Sequence, residues 1–299
     1  MLDVVIIGSG PAGITAAIYA KRANLNVAVV EKEYLGTGQI AESSRVDNYP
    51  GIPGIDGYSL GEKFREHAES LGVEFTEAQV LSLGQKDGIW IIGCDEDITL
   101  ESKAVIYATG CKNRPLGVPG EEKYYGRGLS FCAVCDGAFY KGKRVAVIGG
   151  GDTALDDAMY LSDICEKVYL VHRREFFRGS ASTLEKLKQK ENVEIIVNAR
   201  VVEITGDKKI DGIILGNKTK LNISGLFAAV GMIPQTELLK EFGVLDESNY
   251  VKASEDTKTT VNGLFAAGDV RTKQLRQVVT AAADGANAIY SVMEYLRNI

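Results

Sequence analysis

Twice along the chain a short, wholly apolar run stops at a cluster of glycines. Val4-Val5-Ile6-Ile7 leads into Gly8-Ser9-Gly10-Pro11-Ala12-Gly13, and Val145-Ala146-Val147-Ile148 leads into Gly149-Gly150-Gly151-Asp152-Thr153-Ala154. A brief apolar run bounded by turn residues fits a strand covered on both faces. Beyond each glycine turn the period changes. Residues 12–23 are rich in alanine, and 153–161 carries apolar residues at 154, 155, 158 and 161, the spacing of one helix face. A second apolar run follows in each case, Val27-Ala28-Val29-Val30 and Val168-Tyr169-Leu170-Val171. Strand, glycine turn, helix, strand is the βαβ dinucleotide-binding unit, present twice at an offset of 141 positions.

Three further strand endings stop at glycine: Ala108-Thr109-Gly110, Ala228-Ala229-Val230-Gly231 and Ala266-Ala267-Gly268-Asp269. The third lies beyond the second unit and precedes a C-terminal helix with apolar residues near 278, 279, 282, 286, 289, 292 and 296. The economical layout is an α/β chain of two Rossmann-like domains, the second inserted into the first. Residues 1–115 and 244–299 form the outer domain and 116–243 the inserted one. Gly117-Val118-Pro119-Gly120 is the expected hinge outward, and Phe242-Gly243-Val244 the return.

The residues after each second strand differ. Glu31 ends the first and can accept hydrogen bonds from a ribose diol, which suits an unphosphorylated ribose and so FAD. The second ends in His172-Arg173-Arg174, with Arg178 close behind. Guanidinium forks bind a 2′-phosphate that a carboxylate would repel, so this half is expected to take NADPH.

Composition narrows the picture. The 299 residues are 45% apolar, enough for two cores, and carry a formal charge of −6. That balance argues against a nucleic-acid footprint or an anionic membrane surface. No apolar run nears the ~20 residues that span a bilayer, and no secretion signal is evident, so a cytoplasmic location is expected. Of five cysteines, Cys94, Cys111 and Cys165 stand alone and read as small buried residues. Cys132-Ala133-Val134-Cys135 is different. A single Cys-x-x-Cys with only two histidines in the chain makes a poor zinc site, so no metal is expected. Thiol–disulfide exchange needs a thiolate and a nearby resolving thiol, which this spacing supplies, and Asp136 beside it could move protons.

As an ordered set these segments resemble the low-molecular-weight, bacterial-type thioredoxin reductases, within the FAD- and NAD(P)-dependent pyridine nucleotide-disulfide oxidoreductases. The match includes Gly8 to Gly13, Asn48-Tyr49-Pro50-Gly51, Ala108-Thr109-Gly110, Cys132 to Gly137, the Gly149 loop, His172 to Arg178, Gly268-Asp269 and Arg276-Gln277. The larger reductase class carries its redox pair beside the first glycine loop, and no cysteine occurs there.

The resemblance implies FAD in the outer domain, NADPH in the inserted one, and electrons passing from NADPH through FAD and the Cys132–Cys135 disulfide to a thioredoxin-like protein. It implies that Gln39 and Asn48 contact the flavin half of FAD, that Gly38 belongs to the same cofactor site, and that Asp269 holds the ribityl chain. Arg276-Gln277 would meet the flavin where the last helix begins. Gly8, Ser9, Gly10, Pro11, Ala12, Gly13, Glu31, Thr109, Gly110 and Gly268 would complete that site. Gly149, Gly151, Asp152, Thr153, Ala154, His172, Arg173, Arg174 and Arg178 would hold NADPH. Cys135 would face the flavin, Cys132 attack the partner disulfide and Asp136 act as acid/base, in a homodimer. The chain departs from the family where Gly-Gly-Gln becomes Thr37-Gly38-Gln39, and in the polar run 41–47. A ferredoxin-linked or other flavin-dependent disulfide reductase is the enzyme alternative. A non-catalytic nucleotide-binding redox sensor is the alternative from another class. A dithiol-free flavin:NADP oxidoreductase is opposed by Cys132 and Cys135.

Overall fold

The computed structural model describes residues 1–33, 37–43 and 45–299, so Ser44 of the departing segment lies outside the described residues. The chain opens with β1 (Leu2–Ile7), α1 (Pro11–Arg22), β2 (Val27–Glu31), α2 (Gly57–Ser70), β3 (Glu74–Glu77), β4 (Val80–Lys86), β5 (Ile89–Cys94) and β6 (Thr99–Tyr107). It continues with β7 (Cys111–Asn113), β8 (Leu129–Ser130), α3 (Ala133–Asp136), β9 (Arg144–Ile148), α4 (Asp152–Ser162), β10 (Lys167–Val171), α5 (Ala181–Lys188) and β11 (Val193–Ile196). Then come β12 (Val201–Thr205), β13 (Gly212–Leu215), β14 (Lys220–Asn222), β15 (Gly225–Ala228), β16 (Met232–Pro234), β17 (Leu264–Ala266) and α6 (Val278–Leu296). Two compact units result, one of Met1–Lys112 with Ile233–Ile299, the other of Asn113–Met232.

In the first unit the sheet order is β3-β2-β1-β6-β5-β4. β6 changes partner along its length. Its early residues pair antiparallel with β5, and Val105 to Tyr107 pair parallel with β17. The second unit repeats the plan as β11-β10-β9-β15-β8, with β12-β13-β14 as a separate antiparallel meander. The internal repeat survives into hydrogen-bond register. Ile7 pairs with Val30 and Ile148 with Val171, both displaced by the same 141 positions.

The apolar runs form central strands because both faces are covered. Val4 and Ile6 pack toward α1 and α6, while Val5 and Ile7 pack with Trp90, Ile92 and Leu264. In the second unit Val145 and Val147 pack under α4, and Ala146 faces Ile213, Leu215 and Leu221 of the meander. Each buried aliphatic side chain contributes about 1.5–3 kcal/mol, which fixes register because a one-residue slip would exchange the two faces.

Two expectations need correcting. The first unit resumes at Ile233, not near Gly243. Leu239 and Val244 are buried in its core, with Leu238 and Phe242 packed against them, so apolar burial draws the segment out of the inserted unit. The buried stripe of α6 also differs from the expected set. It runs through Ala281, Asp284, Gly285, Ala288, Ile289 and Val292, whereas Val279 is 43% exposed. Small residues line it because α6 lies close against α1, whose Ala12, Ala16, Ala17 and Ala20 share its core.

Cys94, Cys111 and Cys165 are buried free thiols. Burial raises all three, Cys111 to about 12 and Cys165 to about 11, which leaves them as inert packing groups at neutral pH. Among the described residues no helix is long and apolar enough to cross a membrane.

Candidate active site

The first glycine loop is shaped by close backbone approaches. Gly8 has φ +102°, and a methyl group there would lie 2.6 Å from the Ala108 carbonyl oxygen. A methyl on Gly13 would stand 1.9 Å from the Gly8 carbonyl oxygen, so only glycine lets α1 start so near β1. Gly10 is the N-cap of α1, with no side-chain cap, and Pro11 follows at its first position. The first-turn N–H groups therefore remain available to an anion. Ser9 is buried, and its N–H and hydroxyl donate to Glu31 Oε2 at 2.9 and 3.0 Å. Glu31 thus braces the loop as well as standing at the strand end.

Gly38, Thr109 and Gly268 of this unit lie against the same loop, and further expected residues are linked to one another. Gly38 lies beside Gly10, and Gln39 follows it in the 3-10 helix Gly38–Glu42. Thr37, the departing residue, is buried against Gly61 of α2, where a methyl would meet its Cβ at 2.5 Å. Asn48 Nδ2 donates to Gln277 Oε1 at 2.9 Å, joining positions 229 apart in sequence. Gln277 is the N-cap of α6 in a reciprocal capping box with Thr280. Thr109 donates its hydroxyl to the Gln235 carbonyl at 2.7 Å. Gly268 sits against Ala12 of α1, which brings Asp269 to the helix start.

Asp269 presents a buried acceptor to this cradle. Its Oδ1 is buried with no hydrogen-bond partner. Burial pushes the carboxyl up to about 6, although Lys273 and Arg276 pull against it. An orphaned buried acceptor beside a glycine cradle and free helix N–H groups fits a polyhydroxy chain carrying phosphates, so these residues suit FAD. Arg276 crosses the Tyr250 ring at 4.2 Å and donates from Nε to the Asp269 carbonyl at 3.3 Å.

Beneath Asp269 lies a cluster that sequence reasoning missed. Asp284 accepts from Arg271 Nε and Nη2 at 2.8 and 2.6 Å, from Lys273 Nζ at 2.9 Å, and from the Gly268 N–H at 2.8 Å. Asp284 and Arg271 are both under 5% exposed. The available signal was an acid inside the apolar face of the last helix, preceded by two cations.

In the second unit Gly149 packs on the Ala229 carbonyl and Ala154 Cβ, and Gly151 caps α4 in open space. Asp152 and Thr153 start the helix exposed. The arginine segment folds back onto this loop: the N–H groups of Arg178 and Gly179 donate to the Gly150 carbonyl at 2.7 and 3.2 Å, and Ser180 N–H donates to Asp152 Oδ1 at 2.7 Å. Arg173, Arg174 and Arg178 are exposed beside it and form no ion pair among the described residues. Such a rim of free guanidinium groups on a phosphate loop fits a phosphorylated ribose.

His172 does not join that rim. It is 6% exposed, wedged under Gly150, tilted against Phe177 at 4.9 Å, with Nε2 at 3.2 Å from the Phe176 carbonyl. Burial lowers its pKa, and the neighbouring arginines lower it further. The expected fourth cation is a neutral wedge that sets the two loops against each other.

The dithiol lies in this same unit. Cys132 and Cys135 are joined as a disulfide, with Cα atoms 5.3 Å apart. Cys132 is the N-cap of α3, and its Sγ accepts the Cys135 N–H at 3.2 Å, a contact that favours thiolate at Cys132 once the bond opens. Asp136 is raised by burial and pulled down by Ser130, whose hydroxyl donates to Oδ2 at 2.6 Å. Ser130 also escaped sequence reasoning, being an ordinary polar residue at a strand end.

Comparisons with known proteins place the whole chain in one family. The family model described as pyridine nucleotide-disulphide oxidoreductase matches residues 2–285. A thioredoxin reductase of Bacillus subtilis is 38% identical over 305 aligned positions, covering 99% of this chain and 95% of that protein. A 34.2 kDa protein in the rubredoxin operon of Clostridium pasteurianum is 39% identical, at 99% and 97% coverage. The crystal structure of Streptococcus pyogenes thioredoxin reductase superposes with a TM-score of 0.94 at 40% identity, covering 100% of this chain and 99% of that one.

Proposed function

The chain belongs to the pyridine nucleotide-disulphide oxidoreductase family, and from that premise we propose that it is an NADPH-dependent thioredoxin reductase. FAD is held by the unit of residues 1–112 and 233–299, and NADPH by residues 113–232. The observation that carries the reading is the Cys132–Cys135 disulfide in the same unit as a phosphate loop rimmed by free arginines, in a chain with a second, complete nucleotide cradle.

When bound, the two nucleotides supply hydride transfer and two-electron reduction of a disulfide. The chain's own residues do the rest. Gly8 to Gly13 and the α1 start hold a pyrophosphate, and Glu31 faces a ribose diol. Gly38, Gln39, Asn48, Thr109, Gly110 and Gly268 line the cradle, Asp269 accepts a hydroxyl, and Arg276-Gln277 orient the ring end at the α6 N-terminus. Gly149, Gly151, Asp152, Thr153 and Ala154 hold the second pyrophosphate. Arg173, Arg174 and Arg178 select its 2′-phosphate, and His172 keeps them in place.

Two electrons and two protons convert the Cys132–Cys135 bond to two thiols. Asp136 takes the proton of Cys132, whose thiolate attacks the partner disulfide to form a mixed disulfide, and Asp136 returns that proton to the departing partner sulfur. Cys135 then attacks Cys132 Sγ, its own proton passing to the second partner sulfur, which releases the partner as a dithiol and restores the original bond. The partner is a thioredoxin or thioredoxin-like dithiol protein, in keeping with the relatives' names. The reading includes a homodimer in the cytoplasm, where three unbridged buried cysteines suit a reducing compartment.

The test is an anaerobic assay of the purified flavoprotein with a bacterial thioredoxin, supplying NADPH or reduced ferredoxin as the electron source. Thiols should appear on thioredoxin with NADPH. Turnover with ferredoxin alone would transfer the chain to the ferredoxin-linked reductases. Inactivity with both, despite nucleotide binding, would favour a redox sensor.

A further inference from the structure

Ser130 has no part in the chemistry described above, yet its hydroxyl makes a short hydrogen bond, 2.6 Å, to the carboxylate beside the dithiol. It ends β8, whose backbone is fixed to the sheet by pairing of Ser130 with Phe227. Its side chain is buried, the residue being 5% exposed. The hydroxyl lies 2.6 Å from Asp136 Oδ2, 3.1 Å from the Cys132 N–H and 3.3 Å from the Cys132 carbonyl. One hydroxyl proton serves one acceptor, and the carboxylate is the nearer and the stronger. Ser130 therefore donates to Asp136 and accepts from the Cys132 amide.

We propose that Ser130 is a positioning residue for dithiol exchange, its hydroxyl tying the Asp136 carboxylate to the backbone of the attacking cysteine. The proposal rests on the acid/base role given to Asp136. The bridge has two consequences. It holds the proton carrier in one place relative to Cys132 while the sulfur–sulfur bond opens and closes. It also stabilises the ionised carboxylate against burial, which otherwise favours the neutral acid. The titratable groups around Asp136 are the Cys132 and Cys135 thiols once their bond opens, Tyr140 three residues on from Gly137, whose own ionisation Asp136 disfavours, and Tyr160 of α4, whose ring lies against Gly137. Among the described residues no cation contributes to the acidity of Asp136, and the group that favours its ionised form is the Ser130 hydroxyl.

The experiment is the pH profile of kcat/KM for a bacterial thioredoxin, measured on the holoenzyme of wild type, Asp136→Asn, Ser130→Ala, Ser130→Val and Ser130→Thr. NADPH-dependent bleaching of the bound flavin serves as a check on folding. Asp136→Asn should remove one ionisation from the profile. In Ser130→Ala that ionisation should move upward by about one pH unit, because the hydrogen bond to the charged form is gone. Ser130→Thr should restore the wild-type position, and Ser130→Val should not. The last two are matched in shape and differ only by hydroxyl for methyl, so they pose the question even where alanine weakens the fold. An ionisation that Asp136→Asn removes but that stays put in both Ser130→Ala and Ser130→Val would overturn the role of Ser130 and leave Asp136 standing. A profile indifferent to Asp136→Asn would overturn the acid/base reading, and the Ser130 proposal with it.

Discussion

Asp269 is where binding and stability pull hardest against each other. Its carboxyl is buried with Oδ1 unpartnered, and burial pushes it up to about 6 from the ordinary value of 3.8. A raised acid gives full stability below its unfolded pKa and loses it as pH climbs through the folded value. Asp269→Asn should therefore stabilise the FAD-free protein by up to about 3 kcal/mol at pH 7 and by little at pH 4, while weakening FAD binding. Urea titrations of both apoproteins at the two pH values would show it, and an equal gap at both would refute the assignment. Arg174→Ala should raise the KM for NADPH roughly 10- to 100-fold and leave that for NADH almost unchanged, since only the first carries a 2′-phosphate. Equal losses for both would remove Arg174 from that contact. Residue identities of this kind were legible because glycine, arginine and paired cysteines each imply a definite chemistry. His172 was not. A histidine before two arginines reads as a third cation until its burial under Gly150 and its contact with the Phe176 carbonyl are known.

Elements were legible wherever both faces of a strand are covered, as in β1, β2, β9 and β10, because the apolar run is then continuous. The last helix was placed correctly, but only Ile289 and Val292 of its expected apolar set lie in the buried stripe. Contact with α1 selects small residues and admits Asp284, so hydrophobicity is a poor guide to which side faces inward. Asp284 shows the energetic reason. Burial drives its carboxyl up, yet hydrogen bonds from Arg271 and Lys273 outweigh burial and hold it below the ordinary range. A depressed acid stabilises above its unfolded pKa and loses that contribution as pH falls through the folded value. Asp284→Asn would strand two buried cations beneath the Gly268-Asp269 turn, at a cost of about 3–5 kcal/mol at pH 7. Chemical denaturation should show this difference at pH 7 and a narrower one below about pH 4. A difference independent of pH would mean that charge pairing is not what the carboxylate contributes.

At the scale of the whole molecule, the doubled plan was visible as the 141-position offset, and it persists in the pairing of β1 with β2 and of β9 with β10. The point of return was not visible, because Leu238 to Val244 carries no motif and is assigned to the first unit only by what it packs against. Nor could spacing place Asn48 beside Gln277, because the inserted unit lies between them in the sequence. The account treats the two nucleotide cradles and the Cys132–Cys135 pair as parts of one electron route ending in free thiols. Anaerobic titration of the purified flavoprotein with NADPH, followed by alkylation and mass spectrometry, tests it most directly. The flavin absorbance should bleach and both Cys132 and Cys135 should become alkylated, while Cys132→Ser should bleach as readily but fail to reduce thioredoxin. Bleaching that leaves the wild-type disulfide intact, or a protein that binds no flavin, would contradict the account.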